Sequence, residues 1–243
     1  MINAFITVRS KSSRLPEKCF LPFGDMTMIE HIIIRAKDYN LRPIVCTTTS
    51  KEDIDIVKIS DKHGVDCFMG SEINKLKRWK DCCLEFNIDK FHSVDADDPF
   101  FCGDEIKRSY ELLEEGYDMV TPSPSSMNGG ATVGYSLTSD VVTKACKDIG
   151  EDTDTEMMWA YINKVNNIKV ANLEDPVDFI INQRMTLDYE EDYKKLLKIL
   201  NLVGHFGTRE EIAKCLIDNP HLKDINESKN REWKQNQLNK TIK

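Results

Sequence analysis

Ile2-Asn-Ala-Phe-Ile-Thr-Val8, followed at once by Arg9-Ser-Lys-Ser-Ser-Arg-Leu-Pro-Glu-Lys18, is the stretch from which the fold is read. The apolar run is short and rich in β-forming residues, as a buried strand is, and a helical pattern begins near Met28. Between them, Arg9, Lys11, Arg14 and Lys18 are interleaved with the hydroxyls of Ser10, Ser12 and Ser13. A strand that delivers exposed amides, hydroxyls and cations to a sheet edge forms a receptor for polyphosphate. A solvated basic loop is the plain alternative. Against it stands the location, because open parallel sheets bind ligands where their strands end.

The alternation continues outward from this stretch. Strand patterns at 43–47, 65–69, 90–94 and 118–120 are separated by helical patterns at 28–39, 52–63, 73–86 and 104–115. Such alternation predicts a mostly parallel α/β sheet with helices on both faces. After Thr121 the breaker-rich run Pro122-Ser-Pro-Ser-Ser-Met-Asn-Gly-Gly130 marks a ligand-handling loop. Beyond it the spacing predicts strands at 131–137, 168–171 and 185–187, and helices at 138–147, 155–164, 190–202 and 208–217. The organisation expected is one domain over 1–205, with 122–175 as a distinct region within it. A C-terminal helix and polar tail over 206–243 would follow, with disorder from about Asn226.

With 33 Lys plus Arg against 41 Asp plus Glu, the net charge of -8 argues against a general nucleic-acid binder. Polyphosphate would have to be captured locally, with help from a divalent cation. No apolar run approaches the roughly 20 residues that span a bilayer, and no signal peptide opens the sequence. A cytoplasmic protein without membrane insertion is expected. The eight cysteines contain no C-x-x-C and mostly lie in apolar segments, which suits buried reduced thiols.

Two acidic elements close predicted strands. In Asp95-Ala-Asp97-Asp98-Pro99 three carboxylates crowd together, and Pro99 holds Asp98 extended. Strand alternation sends Asp95 and Asp97 to one side, and like charges so close call for a cation. A hard divalent ion, Mg²⁺ by the usual preference for few carboxylates plus phosphate oxygens, is the natural partner. The second element is Asp188-Tyr-Glu-Glu-Asp192, where Asp188 reads either as a metal ligand or as a helix cap. His92, inside a strand pattern, reads as a packed core histidine.

These residues resemble a family. Val8 to Lys18 resembles the A-R-x-x-S-(S/T)-R-L-P-G-K signature of CMP-sugar-acid synthetases and of the cytidylyltransferases grouped with spore-coat polysaccharide biosynthesis proteins. Gly70-Ser-Glu-Ile-Asn-Lys-Leu-Lys-Arg78-Trp79 resembles that group's G-S-E-x-x-V-L-x-R-(Y/W) segment. Asp95-Ala-Asp97-Asp98-Pro99 resembles its D-x-D-x-P element, and Thr186-Leu-Asp188-Tyr-Glu-Glu-Asp192 its T-x-D-x-x-E-D motif. The matches are colinear over residues 1 to about 202. Two departures stand out: Glu17 replaces the glycine of the signature, and Thr155-Glu156-Met157-Met158 stands where an R-E-H-V element is usual.

The resemblance implies a GT-A-like, Rossmann-like nucleotide-diphospho-sugar transferase fold. It implies Mg²⁺-dependent transfer of CMP from CTP to an anionic acceptor, a sugar acid or phosphorylated metabolite, for surface polysaccharide or glycoconjugate synthesis. By position, Arg9, Lys18 and Asp97 would be catalytic, and Asp97 and Asp188 would hold Mg²⁺. Arg9, Ser10, Ser12, Ser13, Arg14, Lys18, Thr48, Gly70, Ser71 and Arg78 would contact the nucleotide, with Thr47 to Ser50 near the base. Residues 1–205 would be the nucleotidyltransferase domain with 122–175 as its acceptor side, and a homodimer is an expectation from relatives. Guanylyl or other nucleotidyl transfer to a sugar phosphate, and an inactive nucleotide-binding protein, are the alternatives. No G-x-x-x-x-G-K-(S/T) or G-x-G-x-x-G follows the first strand, which disfavours a P-loop NTPase and a Rossmann dehydrogenase.

Overall fold

A computed structural model describes residues 1–147, 149–230 and 232. The first strand, β1 (Asn3–Thr7), lies in the interior of the main sheet. Its side chains alternate between two apolar clusters: Ala4, Ile6 and Val8 belong to one and Phe5 to the other. A strand buried on both faces explains why the run is apolar throughout rather than at every second position.

After the cationic loop come two short paired strands, β2 (Pro22–Phe23) and β3 (Met26–Thr27), which the sequence pattern did not predict. They lead into α1 (Met28–Asp38), opened by a Thr27–Glu30 capping box. The chain then runs β4 (Arg42–Thr48), α2 (Ile54–Lys62), β5 (Asp66–Gly70), α3 (Lys75–Glu85), β6 (Lys90–Asp95) and α4 (Gly103–Glu114). It continues as β7 (Met119–Thr121), β8 (Ser136–Thr138), α5 (Ser139–Ala145), α6 (Trp159–Ile162), β9 (Val170–Asn172), α7 (Glu190–Val203) and α8 (Arg209–Asp218).

The seven strands lie in the order β5-β4-β1-β6-β8-β7-β9. The expected parallel alternation holds for β5, β4, β1 and β6, and breaks at β8, which is antiparallel to both β6 and β7. One layer packs Ile29, Ile33, Ile106 and Leu113 against the sheet, and the other packs Trp79, Cys82, Val141 and Ile162. The second half of the chain corrects several predicted bounds. The strand expected over 131–137 is only Ser136–Thr138, because 122–134 is spent on the loop. The helix expected over 155–164 shrinks to Trp159–Ile162. Residues 185–187 form no strand, yet Leu187 N–H donates to the Asp97 carbonyl at 2.7 Å.

The division expected at residue 205 does not coincide with a break in packing. Ile212, Ala213 and Leu216 of α8 share an apolar cluster with Phe23, Phe100, Leu196 and Ile199. Arg35 of α1, 1% exposed, donates to the carbonyls of Phe101, His205 and Gly207 at 2.9–3.0 Å. Asn226, where disorder was expected to begin, is buried, and its amide reaches Arg184 and Asp192. Residues 231 and 233–243 of the expected tail lie outside the described residues. All eight cysteines are unpaired and most are buried, in line with the sequence reading. Among the described residues no helix is long and apolar enough to cross a membrane.

The junction of β6 with β8 sets the shape of the site that follows. An added Cβ at Gly134 would lie 2.1 Å from the Ser93 carbonyl oxygen, a backbone atom that cannot yield. Gly134→Ala is therefore expected to cost about 1–3 kcal/mol of stability, read as a lowered midpoint in denaturant unfolding.

Candidate active site

The carboxyl ends of β1 and β6 open onto a cavity of about 570 Å³. Its floor is the cationic loop, and the loop is fixed from below. Asp53, buried between β4 and α2, accepts from the Ser10 amide (2.8 Å), the Ser10 hydroxyl (2.6 Å), the Thr47 hydroxyl (3.1 Å), and the amide and hydroxyl of Thr48. Burial alone would raise its pKa, but this set of donors holds the carboxylate below its ordinary value. The loop closes on itself where Glu17 N–H donates to the Ser10 carbonyl at 3.0 Å.

This anchoring redistributes the residues expected to touch nucleotide. Arg9, Ser12, Ser13, Arg14, Lys18 and Arg78 line the cavity. Ser10, Thr48, Gly70 and Ser71 do not: Ser10 and Thr48 are spent on Asp53, and the Ser71 carbonyl accepts from Arg78 Nη1 at 2.6 Å. They hold the loop and Arg78 in place instead of facing the cavity.

The centre of the site is Lys18. Its Nζ donates to Asp97 Oδ2 at 2.6 Å, to the Leu187 carbonyl at 2.7 Å and to Asp188 Oδ1 at 3.0 Å. Burial would lower its pKa, but the two carboxylates outweigh that and raise it. Asp188 also accepts from Arg14 at 2.6 Å and from Arg184 at 3.1 Å. Burial acts to raise the Asp188 pKa, and Lys18 and Arg14 reverse it to well below the carboxylate range. Asp97 is driven the other way, upward, by burial and by its acidic neighbours Asp188 and Asp95. Asp95, Asp97 and Asp98 each offer an oxygen, all within 4.8 Å of one another. Asp98 is raised well above its ordinary value, first by burial and then by Asp97 and Asp95. Crowded oxygen donors of this kind fit a hard divalent cation.

Several residues of the site went unremarked in the sequence. Lys75 of α3 is 5% exposed, lines the cavity and pairs with Asp95 at 2.7 Å. It lies one helical turn before Arg78, so the face that put Arg78 in the site carried it too. Arg184 is buried between Asp188 and Asp192, at 2.9–3.1 Å, and its spacing of four and eight residues from them was the available signal. Glu156, singled out in the sequence as part of the segment that departs from the family pattern, lines the cavity and pairs with Arg9 at 3.0 Å. His92 is a core residue as expected: fully buried, with Nδ1 against the Ser136 hydroxyl and Nε2 accepting from Gly134 N–H. Burial lowers its pKa to about 3, so it stays neutral.

With this geometry in hand, the chain can be set beside known proteins. A sequence profile described as cytidylyltransferase matches residues 4–213. The chain belongs to the cytidylyltransferase family. An uncharacterised protein of Methanocaldococcus jannaschii is 30% identical over 235 residues, covering 93% of this chain and 94% of that one. A cytidylyltransferase structure from Leptospira borgpetersenii superposes with a TM-score of 0.79 at 21% identity, over 91% of this chain and 96% of that chain. CMP:2-keto-3-deoxy-manno-octonic acid synthetase complexed with CTP superposes at 0.62 and 14% identity, over 83% and 99%. The fold is the Rossmann-like one of nucleotide-diphospho-sugar transferases, and the family member is a nucleotidyltransferase.

Two outcomes follow from the local physics of this family member. Glu17 sits at φ 55°, in the left-handed region, where its family signature carries glycine. Glu17→Gly is expected to stabilise the protein by up to about 1 kcal/mol in denaturant unfolding, since a side chain there costs roughly 1–2 kcal/mol. Asp188→Asn leaves Lys18, Arg14 and Arg184 facing a neutral amide. A loss of about 3–5 kcal/mol at neutral pH is expected. Because the folded Asp188 pKa lies below its unfolded value, the wild-type advantage is present above the ordinary carboxylate range and fades as pH falls below it. Unfolding curves of both proteins should therefore converge in acid.

Proposed function

We propose that this protein transfers CMP from CTP to an anionic acceptor, a sugar acid or a phosphorylated metabolite, and releases pyrophosphate. The products would serve surface polysaccharide or glycoconjugate synthesis. The observation that carries the reading is the convergence of Lys18, Asp97 and Asp188, from three distant segments, on one wall of a cavity floored by the Ser12–Arg14 loop. The neighbouring synthetase complexed with CTP supports the choice of nucleotide.

In-line attack on the α-phosphorus asks the protein for alignment and neutralisation of charge. Arg9, Arg14 and the amides of 11–13 would grip the β- and γ-phosphates. Lys18 would absorb the charge that develops as pyrophosphate departs. Asp97 and Asp188 would hold Mg²⁺, which when bound polarises the phosphoryl oxygens and neutralises charge. The Lys75–Asp95 pair and Arg78 would keep the α3 side of the cavity positively charged beside the α-phosphate. An acceptor that is already anionic at its attacking end needs no general base from the chain.

Pyrophosphate release measured with CTP, GTP, UTP and ATP against an acceptor panel is the direct test. CTP should be preferred, chelation of divalent ions should abolish turnover, and Lys18→Ala should lower kcat by about 10²–10³. Full activity of Lys18→Ala, or turnover unaffected by a chelator, would end the reading.

A further inference from the structure

The three carboxylates around the end of β6 do not share one environment. Asp97 Oδ2 takes the Lys18 ammonium at 2.6 Å, and Asp95 Oδ1 takes the Lys75 ammonium at 2.7 Å. Asp98 is pushed toward its neutral form by burial, Asp97 and Asp95, against the pull of Thr186 and Lys18. The two ammonium groups are held differently. Lys18 spreads over Asp97, Asp188 and the Leu187 carbonyl, so a carboxylate can turn to another cation while the ammonium keeps partners. Lys75 has its ion pair with Asp95. Burial acts to lower the Lys75 pKa; Asp95 first, then Glu156 and Asp97, more than reverse this.

The Lys75–Asp95 pair is lopsided. The lysine side chain is 6% exposed and the aspartate side chain 43%. Lys75 opens α3 directly after the Asn74 cap, and its ammonium lies 5.0 Å from the centre of the Trp79 ring. Trp79 Nε1 donates to the Thr7 hydroxyl at 2.9 Å, and Thr7 stands beside Asp95 in the β1–β6 register. Helix and sheet thus fix both ends of the pair. Without Asp95, Lys75 would be a buried charge stripped of its ion-pair partner, which is costly. Without Lys75, Asp95 would be a half-solvated carboxylate, which is not. A divalent ion drawing Asp95 into its shell would also meet the Lys75 charge at short range.

Resting on the metal-dependent cytidylyl-transfer reading above, we propose that Lys75 withholds Asp95 from the metal. The acidic turn then offers a divalent ion Asp97 instead of the Asp95–Asp97 pair, and Asp188 completes the set from its distant segment. The protein holds one divalent ion, and the Lys75 ammonium occupies the carboxylate that would recruit a second. Lys75 is a positioning residue: it decides which carboxylates ligate and how many ions bind.

Counting Mn²⁺ on the full chain by electron paramagnetic resonance, with one equivalent of α,β-methylene-CTP, tests this. Wild type should bind one Mn²⁺. Lys75→Met, which keeps the length of the side chain and removes its charge, should bind a second. Lys75→Arg, which keeps the charge, should return to one. Lys75→Met combined with Asp95→Asn should lose the second ion, because the released carboxylate is gone. Any count other than one on wild type, or a single ion on Lys75→Met, overturns the proposal. So does a second ion on Lys75→Arg, or one on Lys75→Met that survives Asp95→Asn. Should unfolding curves show that Lys75→Met does not fold, Lys75→Gln gives the same comparison, since it can donate to Asp95 without neutralising it. A wild-type protein that binds no CTP and releases no pyrophosphate would instead remove the cytidylyl-transfer reading itself, a result seen before any metal is counted.

Discussion

A single ammonium group, that of Lys18, is the point through which three remote parts of the chain are joined. It takes a carboxylate from the turn after β6, and a carbonyl and a carboxylate from the segment before α7, while belonging itself to the loop after β1. Without it Asp97 and Asp188 would face each other in a half-buried wall, a repulsion that like charges do not sustain without compensation. The assembly is also asymmetric. Asp188 has three cationic partners and is held ionised, whereas Asp97 has Lys18 and two acidic neighbours and is pushed toward its neutral form. A divalent ion held as proposed would relieve the second carboxylate more than the first.

Behind this centre lies a layer of buried polar groups that do no chemistry and permit it. Asp53 collects donors from the floor of the cationic loop, and Arg184 with Asp192 steadies Asp188 from behind. Lys195 does the same one step further back, donating to the Arg184 carbonyl, Gln183 and Asn226. Burial lowers the Lys195 pKa to about 8, so this brace is charged at neutral pH and weakens in mild alkali. Buried polar groups of this kind offset their burial only where they find partners, as Asp53, Asp192 and Lys195 do here.

The parallel half of the sheet was legible because its strands and helices follow strong periodicities between clear breakers. Arg9, Arg14, Lys18, Asp97 and Asp188 were legible as charges at strand ends, where open sheets gather ligands. What escaped had a local sequence that underdetermined its partner. Ser10 and Thr48 carry hydroxyls suited to phosphate, yet a buried carboxylate five residues past Thr48 takes them both. Lys75 is one of three lysines in α3, and nothing in the sequence marks it as the one that the fold brings onto Asp95. The reversed β8 was hidden by length, since three residues hold too little pattern to declare a direction. The C-terminal helix looked separable because its apolar residues Ile212, Ala213 and Leu216 do not announce which partner they cover, and the carbonyls before it that Arg35 grips carry no side-chain pattern.

The reversal of β8 has a bearing on how such proteins diversify. On one side of it, four parallel strands and their helices form a rigid platform whose turns are braced by buried ions. On the other, the wall runs from Pro122 to Gly134 and is suspended from β6 through His92 and Ser93. Insertions or exchanges within that suspended wall leave the platform's register untouched. On the proposed reading, a lineage would trade one acceptor for another by rewriting this segment while its handling of the nucleotide stays as it was.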